Sequence, residues 1–253
     1  MSKSFNIFAA VTVTALALSS AIDPAKAAVI NWGSPTTISG AVDVDTTGTL
    51  FASANFGPGS NATVNGVVFD AFSVSGTSTT VGNITLASSG GLNDFTYSPP
   101  ATTTSPYVDL PLDYRNILSP FAYTETAAQA TVSGLTIGGT YAVQFWVQDP
   151  RAEFGARTVT VGSQTLDVNT TDTNGGLGQW ILGQFIADAT TQSFSVGPGP
   201  GGPTPATYAN AMQVRLVPEP TQMVSVAAIG SALGMWRMRK LRRNGCDSDA
   251  TAC

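Results

Sequence analysis

Tyr141-Ala142-Val143-Gln144-Phe145-Trp146-Val147-Gln148 alternates two sets of side chains with a period of two residues. In an extended chain Tyr141, Val143, Phe145 and Val147 point to one side, and Ala142, Gln144, Trp146 and Gln148 to the other. The first set predicts the core face of a strand, because a slip of one residue would turn all four outward. Trp146 belongs to the opposite face, where it is either an exposed plate for a sugar or a side chain packed beneath a covering loop.

Outward from this segment the same period recurs. Strands are predicted at 50–56, 67–74, 83–87, 128–132, 157–161, 164–168, 180–187, 193–196 and 211–217. Asn65-Gly66, Gly138-Gly139 and Gly162-Ser163 stand between apolar runs, where Gly and Asn supply the positive φ of tight hairpins. No stretch keeps a 3.6-residue period for a full helix length. Ten strands joined by turns predict an all-β domain of two packed sheets, a single sandwich covering 28–217. Segments 88–109, 167–178 and 197–207 read as long surface loops, the last holding Pro198, Pro200, Pro203 and Pro205. Tyr114-Arg115 falls in loop sequence, and Trp180 joins Ile181 and Leu182 in a core reading.

Composition removes most catalytic chemistry. The chain has no histidine, and residues 28–217 contain neither lysine nor cysteine, so the usual general bases and soft metal ligands are missing. Serines lack a partner to take their proton, and no strand-to-helix nucleophile elbow is present. Carboxylate pairs for glycoside cleavage remain conceivable at Asp43 and Asp45, Asp109 and Asp113, or Asp149 and Glu153, each equally explained as loop or strand-edge charge. Asp43-x-Asp45-x-Thr47-Gly48 imitates the first half of a calcium loop, yet residue 54 is alanine where the bidentate acid belongs. A polar turn is the simpler reading, so no cofactor is expected and structural calcium is the one open case. For ligand contact the candidates are Trp146, Asp149 and Arg157, where stacking and bidentate hydrogen bonding could meet.

Charge separates this domain from its ends. Within 28–217 four arginines face twelve acids, a net charge of −8 that repels nucleic acid, whereas the whole chain carries −5. The difference sits mostly after Trp236, in Arg237, Arg239, Lys240, Arg242 and Arg243. At the start, Lys3 precedes an apolar run and the sequence Ala25-Lys26-Ala27-Ala28, which predicts a signal peptide over 1–27 cleaved between Ala27 and Ala28. Toward the end, Pro220 to Trp236 is a run of 17 residues without a charge. At roughly 1.5 Å per residue it reaches about 25 Å, enough for a short membrane helix over 221–236. The positive-inside rule keeps the basic cluster and the tail 244–253 in the cytoplasm and the domain outside. Both cysteines, Cys246 and Cys253, fall beyond the cluster, so the domain has no disulfide.

Val217-Pro218-Glu219-Pro220, followed at once by an apolar span and an arginine cluster, resembles the PEP-CTERM sorting signal, over residues 217–243. Two prolines around an acid hold an extended segment just outside the membrane. The resemblance implies processing by an exosortase-type membrane peptidase of Gram-negative bacteria and delivery to the cell surface or extracellular matrix. The ten residues Asn244 to Cys253 depart from that pattern, since such tails stop at the basic cluster.

The order Ser133-Gly134-Leu135-Thr136, Tyr141 to Asp149, Arg157 to Gly162, Gly178-Gln179-Trp180 and Asn210 to Arg215 is similar to uncharacterised exported jelly-roll proteins of planctomycete-type bacteria and to galactose-binding-like sandwiches. This implies a jelly-roll fold without a diagnostic site. The expected protein is a non-enzymatic envelope or matrix component that contacts extracellular polysaccharide; the alternatives are a purely structural matrix protein and a carboxylate-dependent glycoside hydrolase or lyase.

Overall fold

A computed structural model describes residues 28–201 and 206–218. Its elements in chain order are β1 (Asn31–Trp32), β2 (Thr36–Thr37), β3 (Thr49–Phe56), β4 (Ala62–Val64), β5 (Val67–Phe72), β6 (Gly76–Val81), β7 (Ile84–Thr96), α1 (Leu112–Leu118), β8 (Pro120–Thr124), β9 (Ala128–Ser133), β10 (Thr140–Val147), β11 (Thr158–Val161), β12 (Gln164–Asp167), β13 (Gln179–Ile186), β14 (Thr191–Pro198), β15 (Thr207–Ala209) and β16 (Ala211–Leu216). One sheet runs β1-β13-β10-β16-β3-β5-β4, with β2 also on β13. The other runs β12-β11-β14-β9-β7-β8-β15, with β6 on β7.

The described residues therefore form an all-β sandwich with one short α-helix. Tyr141, Val143, Phe145 and Val147 lie in the core between the sheets, together with Leu86, Val132, Val161 and Phe194 of the second sheet. The period-two reading of β10 holds because both of its neighbours, β13 and β16, keep it in register along its length. Asn65 and Gly66 take φ of 49° and 77°, the mirror-image turn expected between β4 and β5.

Six strands were not legible as such. Exposed β6 is a Gly-Thr-Ser run without an apolar face, β8 opens on Pro120, and β1, β2, β4 and β15 are two or three residues long. β7 also runs on to Thr96, well past 87, so the first long loop begins later than its composition suggests. Tyr114 and Arg115 sit in α1, not in a loop. Tyr114, Ile117 and Leu118 are spaced i, i+3 and i+4 and give the seven-residue helix one buried face.

That face builds a second core on the outer side of the first sheet, where Tyr107, Tyr114, Ile117 and Leu118 meet Phe69 and Trp146. Beside it, side chains of β10 and β16 hold the loop between β2 and β3 by its backbone. Gln144 donates to Asp43 O at 2.7 Å, and Gln213 to Asp45 O at 2.9 Å. Arg215 donates to the carbonyls of Thr46, Thr47 and Gly48 at 2.8–3.0 Å.

In the loop with the calcium-like spacing, the carbonyls of Thr46, Thr47 and Gly48 thus already accept from the Arg215 guanidinium. Asp43 instead accepts from Ser39 and Gly40, and Asp45 from the Thr47 amide. Millimolar calcium or a chelator is expected to leave the thermal midpoint of the full chain unchanged, whereas Arg215→Met costs about 2 kcal/mol by stranding three carbonyls. Differential scanning calorimetry checks both.

The leader 1–27 and the tail from Glu219 onward, including the span 221–236 and the basic cluster, lie outside the described residues. Among the described residues no helix is long and apolar enough to cross a membrane. Ala28, Val217 and Pro218 are described, and Val217 closes the domain by donating its amide to Thr140 O at 2.9 Å.

Candidate functional site

Beyond Val147 the chain leaves β10 through Gln148 and Asp149 and enters a short 3₁₀ turn at Ala152–Phe154. The turn carries Arg151 and Phe154 toward the β7, β8 and β15 region of the second sheet. There a cleft of about 510 Å³ opens, lined by Phe95, Phe121, Tyr123, Glu125, Arg151, Phe154, Arg157, Ala206 and Tyr208. That volume falls in the range of small-molecule sites.

Strand pairing explains the aromatic wall. Phe95 stands opposite Phe121, and Tyr123 opposite Tyr208, so neighbouring strands stack their rings on one face. Tyr97 stacks on Phe121 with centroids 4.5 Å apart and planes 14° apart. Most of these rings are packed, but Phe95 at the rim keeps 43% of its surface.

The arginines are held in the same wall. The Arg151 guanidinium carbon lies 4.3 Å from the Phe154 ring centre and 5.2 Å from that of Tyr97. The Arg157 carbon lies 3.9 Å from Phe154 and 5.4 Å from Tyr208. Cation–π contact and rigid rings fix both forks with little entropy left to lose.

Asp149 does the remaining positioning. Arg151 donates from Nε to Oδ1 at 2.9 Å and from Nη2 to Oδ2 at 2.8 Å, and its backbone amide adds a third bond. Asp149 is fully buried while the Arg151 side chain keeps 23% of its surface. Burial pushes the Asp149 carboxyl up, more than its bonds to Arg151 pull it down. For Arg151 burial lowers, but the hydrogen bond and charge of Asp149, with smaller contributions from Tyr97 and Glu153, together raise it. Arg157 is lowered by burial.

The three predicted contact residues therefore separate. Arg157 lines the cleft. Asp149 lies behind it as the anchor of Arg151. Trp146 is fully buried in the second core, donating Nε1–H to Tyr114 Oη at 3.0 Å and meeting Phe69 edge-on at 5.7 Å. The covering-loop reading is the one its surroundings match, since α1 and its preceding loop leave no ring face to solvent. Trp180 is partly buried against the same core.

The rest of the cleft was hidden from sequence reading. Phe95 lies in a segment read as loop, and Tyr123 and Tyr208 lie in unpredicted strands. The pairing of β7 and β15 with β8, and the Tyr97 hydrogen bond to Gln148 O, bring these distant segments together.

Of the proposed carboxylate pairs, Asp149 and Glu153 flank Arg151, with Glu153 on Nη1 at 4.0 Å. They face the arginine and not a shared substrate position. Glu125 is the one acid among the lining residues. Among the described residues no three acidic, histidine or cysteine side chains converge as metal ligands.

Fold and site together define a β-sandwich with an aromatic, arginine-edged cleft at one end of its sheets. No protein-family model matches the chain, and no curated protein does. Among solved structures it is similar to the ANX1 ectodomain from Arabidopsis thaliana, at 9% identity and a TM-score of 0.41, over 66% of this chain and 42% of that one. It is also similar to the plant receptor-like kinase FER, at 13% identity and a TM-score of 0.37, again over 66% and 42%. The chain spans less than half the length of the solved chains it matches.

Proposed function

We propose that this chain is a non-catalytic protein of the bacterial envelope or extracellular matrix, exported by its leader and sorted by its PEP-CTERM tail. Its sandwich, of jelly-roll and galactose-binding-like type, grips extracellular polysaccharide in the cleft at Phe95, Arg151 and Arg157.

The observation that carries this reading is the cleft itself. An open ring at its rim suits the C–H face of a sugar, and oriented N–H forks beside the Glu125 carboxylate suit hydroxyl groups that both accept and donate. Charge favours an uncharged saccharide, because Glu125, Asp149 and Glu153 outnumber the two arginines. A single acid on the lining supports binding over glycoside cleavage, which takes two acids across the bond.

The full chain in mild detergent is expected to be retarded by at least one neutral polysaccharide in affinity electrophoresis. Phe95→Ala should weaken that retention about tenfold, the equivalent of roughly 1.4 kcal/mol, with an unchanged melting midpoint because the ring is at the rim. Retention on no polysaccharide would leave a matrix-filling structural role.

A further inference from the structure

We infer that the end of the sandwich from which the tail departs rests on a lipid surface, with Ile137, Ile186 and Leu216 as its contact points and the cleft turned away. This rests on the tail reading above, in which the span 221–236 is inserted in a membrane.

The tether sets the distance. The folded domain persists through Val217, whose amide is bonded to Thr140 O, and the apolar span begins at 221. The intervening Pro218, Glu219 and Pro220 reach at most about 10 Å when fully extended. The headgroup layer on one side of a bilayer is itself about 5–7 Å deep. An attachment this short holds the end of the domain against the interface.

That end carries apolar side chains in the open. Ile137 is 63% exposed, Ile186 62% and Leu216 40%. All three lie at the end of the first sheet where β10 begins, with Ile186 and Leu216 on its opposite faces. Gly138 donates to Ala187 O at 2.7 Å, which ties the Ile137 turn to the end of β13. Ile186 stands opposite Thr140, and Leu216 opposite Tyr141, on the two sides of β10.

Charge identifies the kind of surface. Of the four arginines within 28–217, Arg115 lies in α1 and Arg151 and Arg157 at the cleft, while Arg215, next to Leu216, is buried and bonded to the carbonyls of its loop. Asp188, two residues past Ile186, is exposed. Apolar contact with a zwitterionic interface fits this end, and attraction to anionic headgroups does not.

Orientation follows from β10. Its first residue is bonded to the departing tail, and its last leads to Arg151 after roughly 23 Å of extended chain. The cleft is therefore presented away from the membrane, where a polymer outside the cell can reach it.

The test uses the full chain with Cys246→Ser and Cys253→Ser, reconstituted in phosphatidylcholine vesicles and spin-labelled in turn at Ile137→Cys, Ile186→Cys and Glu125→Cys. Labels at 137 and 186 are expected to be shielded several-fold from a water-soluble nickel chelate and open to oxygen, with the reverse at 125. Equal nickel access at all three positions in protein that floats with the vesicles overturns the inference and leaves the tail reading intact. Protein that fails to float overturns the tail reading itself. Shielding from both reagents with dipolar broadening assigns this end to contact between two copies and overturns the lipid assignment.

Discussion

Trp146→Ala is expected to lower the unfolding free energy by about 3–5 kcal/mol, read from urea titration of the full chain. Trp146 is fully buried, and three independent contacts depend on it. Its indole fills the space between the first sheet and α1, meets Phe69 edge-on, and donates to Tyr114 Oη. Tyr114 in turn donates to Asp43 Oδ2 at 3.1 Å, so the indole fastens both the helix and the loop before β3. Trp146→Phe keeps most of the volume and loses the donor, and about 1–2 kcal/mol is expected for it. Polysaccharide retention of the folded fraction should be unchanged in both variants, because the indole lies in the second core and not at the cleft. A selective loss of retention at full stability would return Trp146 to the binding surface.

Asp149→Ala is expected to cost about 3 kcal/mol and to abolish polysaccharide retention together. Removing one member of a buried pair leaves the other charge without its partner, at about 3–5 kcal/mol, and the remaining exposure of Arg151 puts this case at the low end. Retention is lost because Arg151 no longer has a fixed fork. The pH profile gives the same residue a second signature. The folded carboxyl titrates above the unfolded one, so between those two values the native state holds a proton that the unfolded chain has released. The Asp149 contribution to stability therefore falls as pH rises through that window and is level on either side of it. Urea midpoints measured across acid pH should fall more steeply in the wild type than in Asp149→Ala, where Asp167, also raised by burial, still contributes.

Legibility followed the range of the interactions. The β10 segment was readable because each of its side chains reports its own side through a two-residue alternation, and the hairpin at Asn65-Gly66 because positive φ is a property of those residues. The helix at 112–118 escaped because seven residues hold fewer than two turns of pattern. β6 escaped because an exposed Thr and Ser edge has no apolar set to alternate. At the cleft, Arg157 was reachable by its closeness in sequence to Asp149, while Phe95, Tyr123 and Tyr208 come from strands far apart in the chain.

Sequence alone determined the all-β class, the core face of β10, and the absence of histidine, lysine and cysteine from 28–217, because composition and short-range period do not depend on what lies across the fold. Tertiary structure decided the rest. It put Trp146 under a helix, turned a calcium-like spacing into a loop held by Arg215, and set Asp149 behind Arg151. A side chain's exposure and partners depend on which distant segment packs over it, and a single strand of sequence carries no record of that.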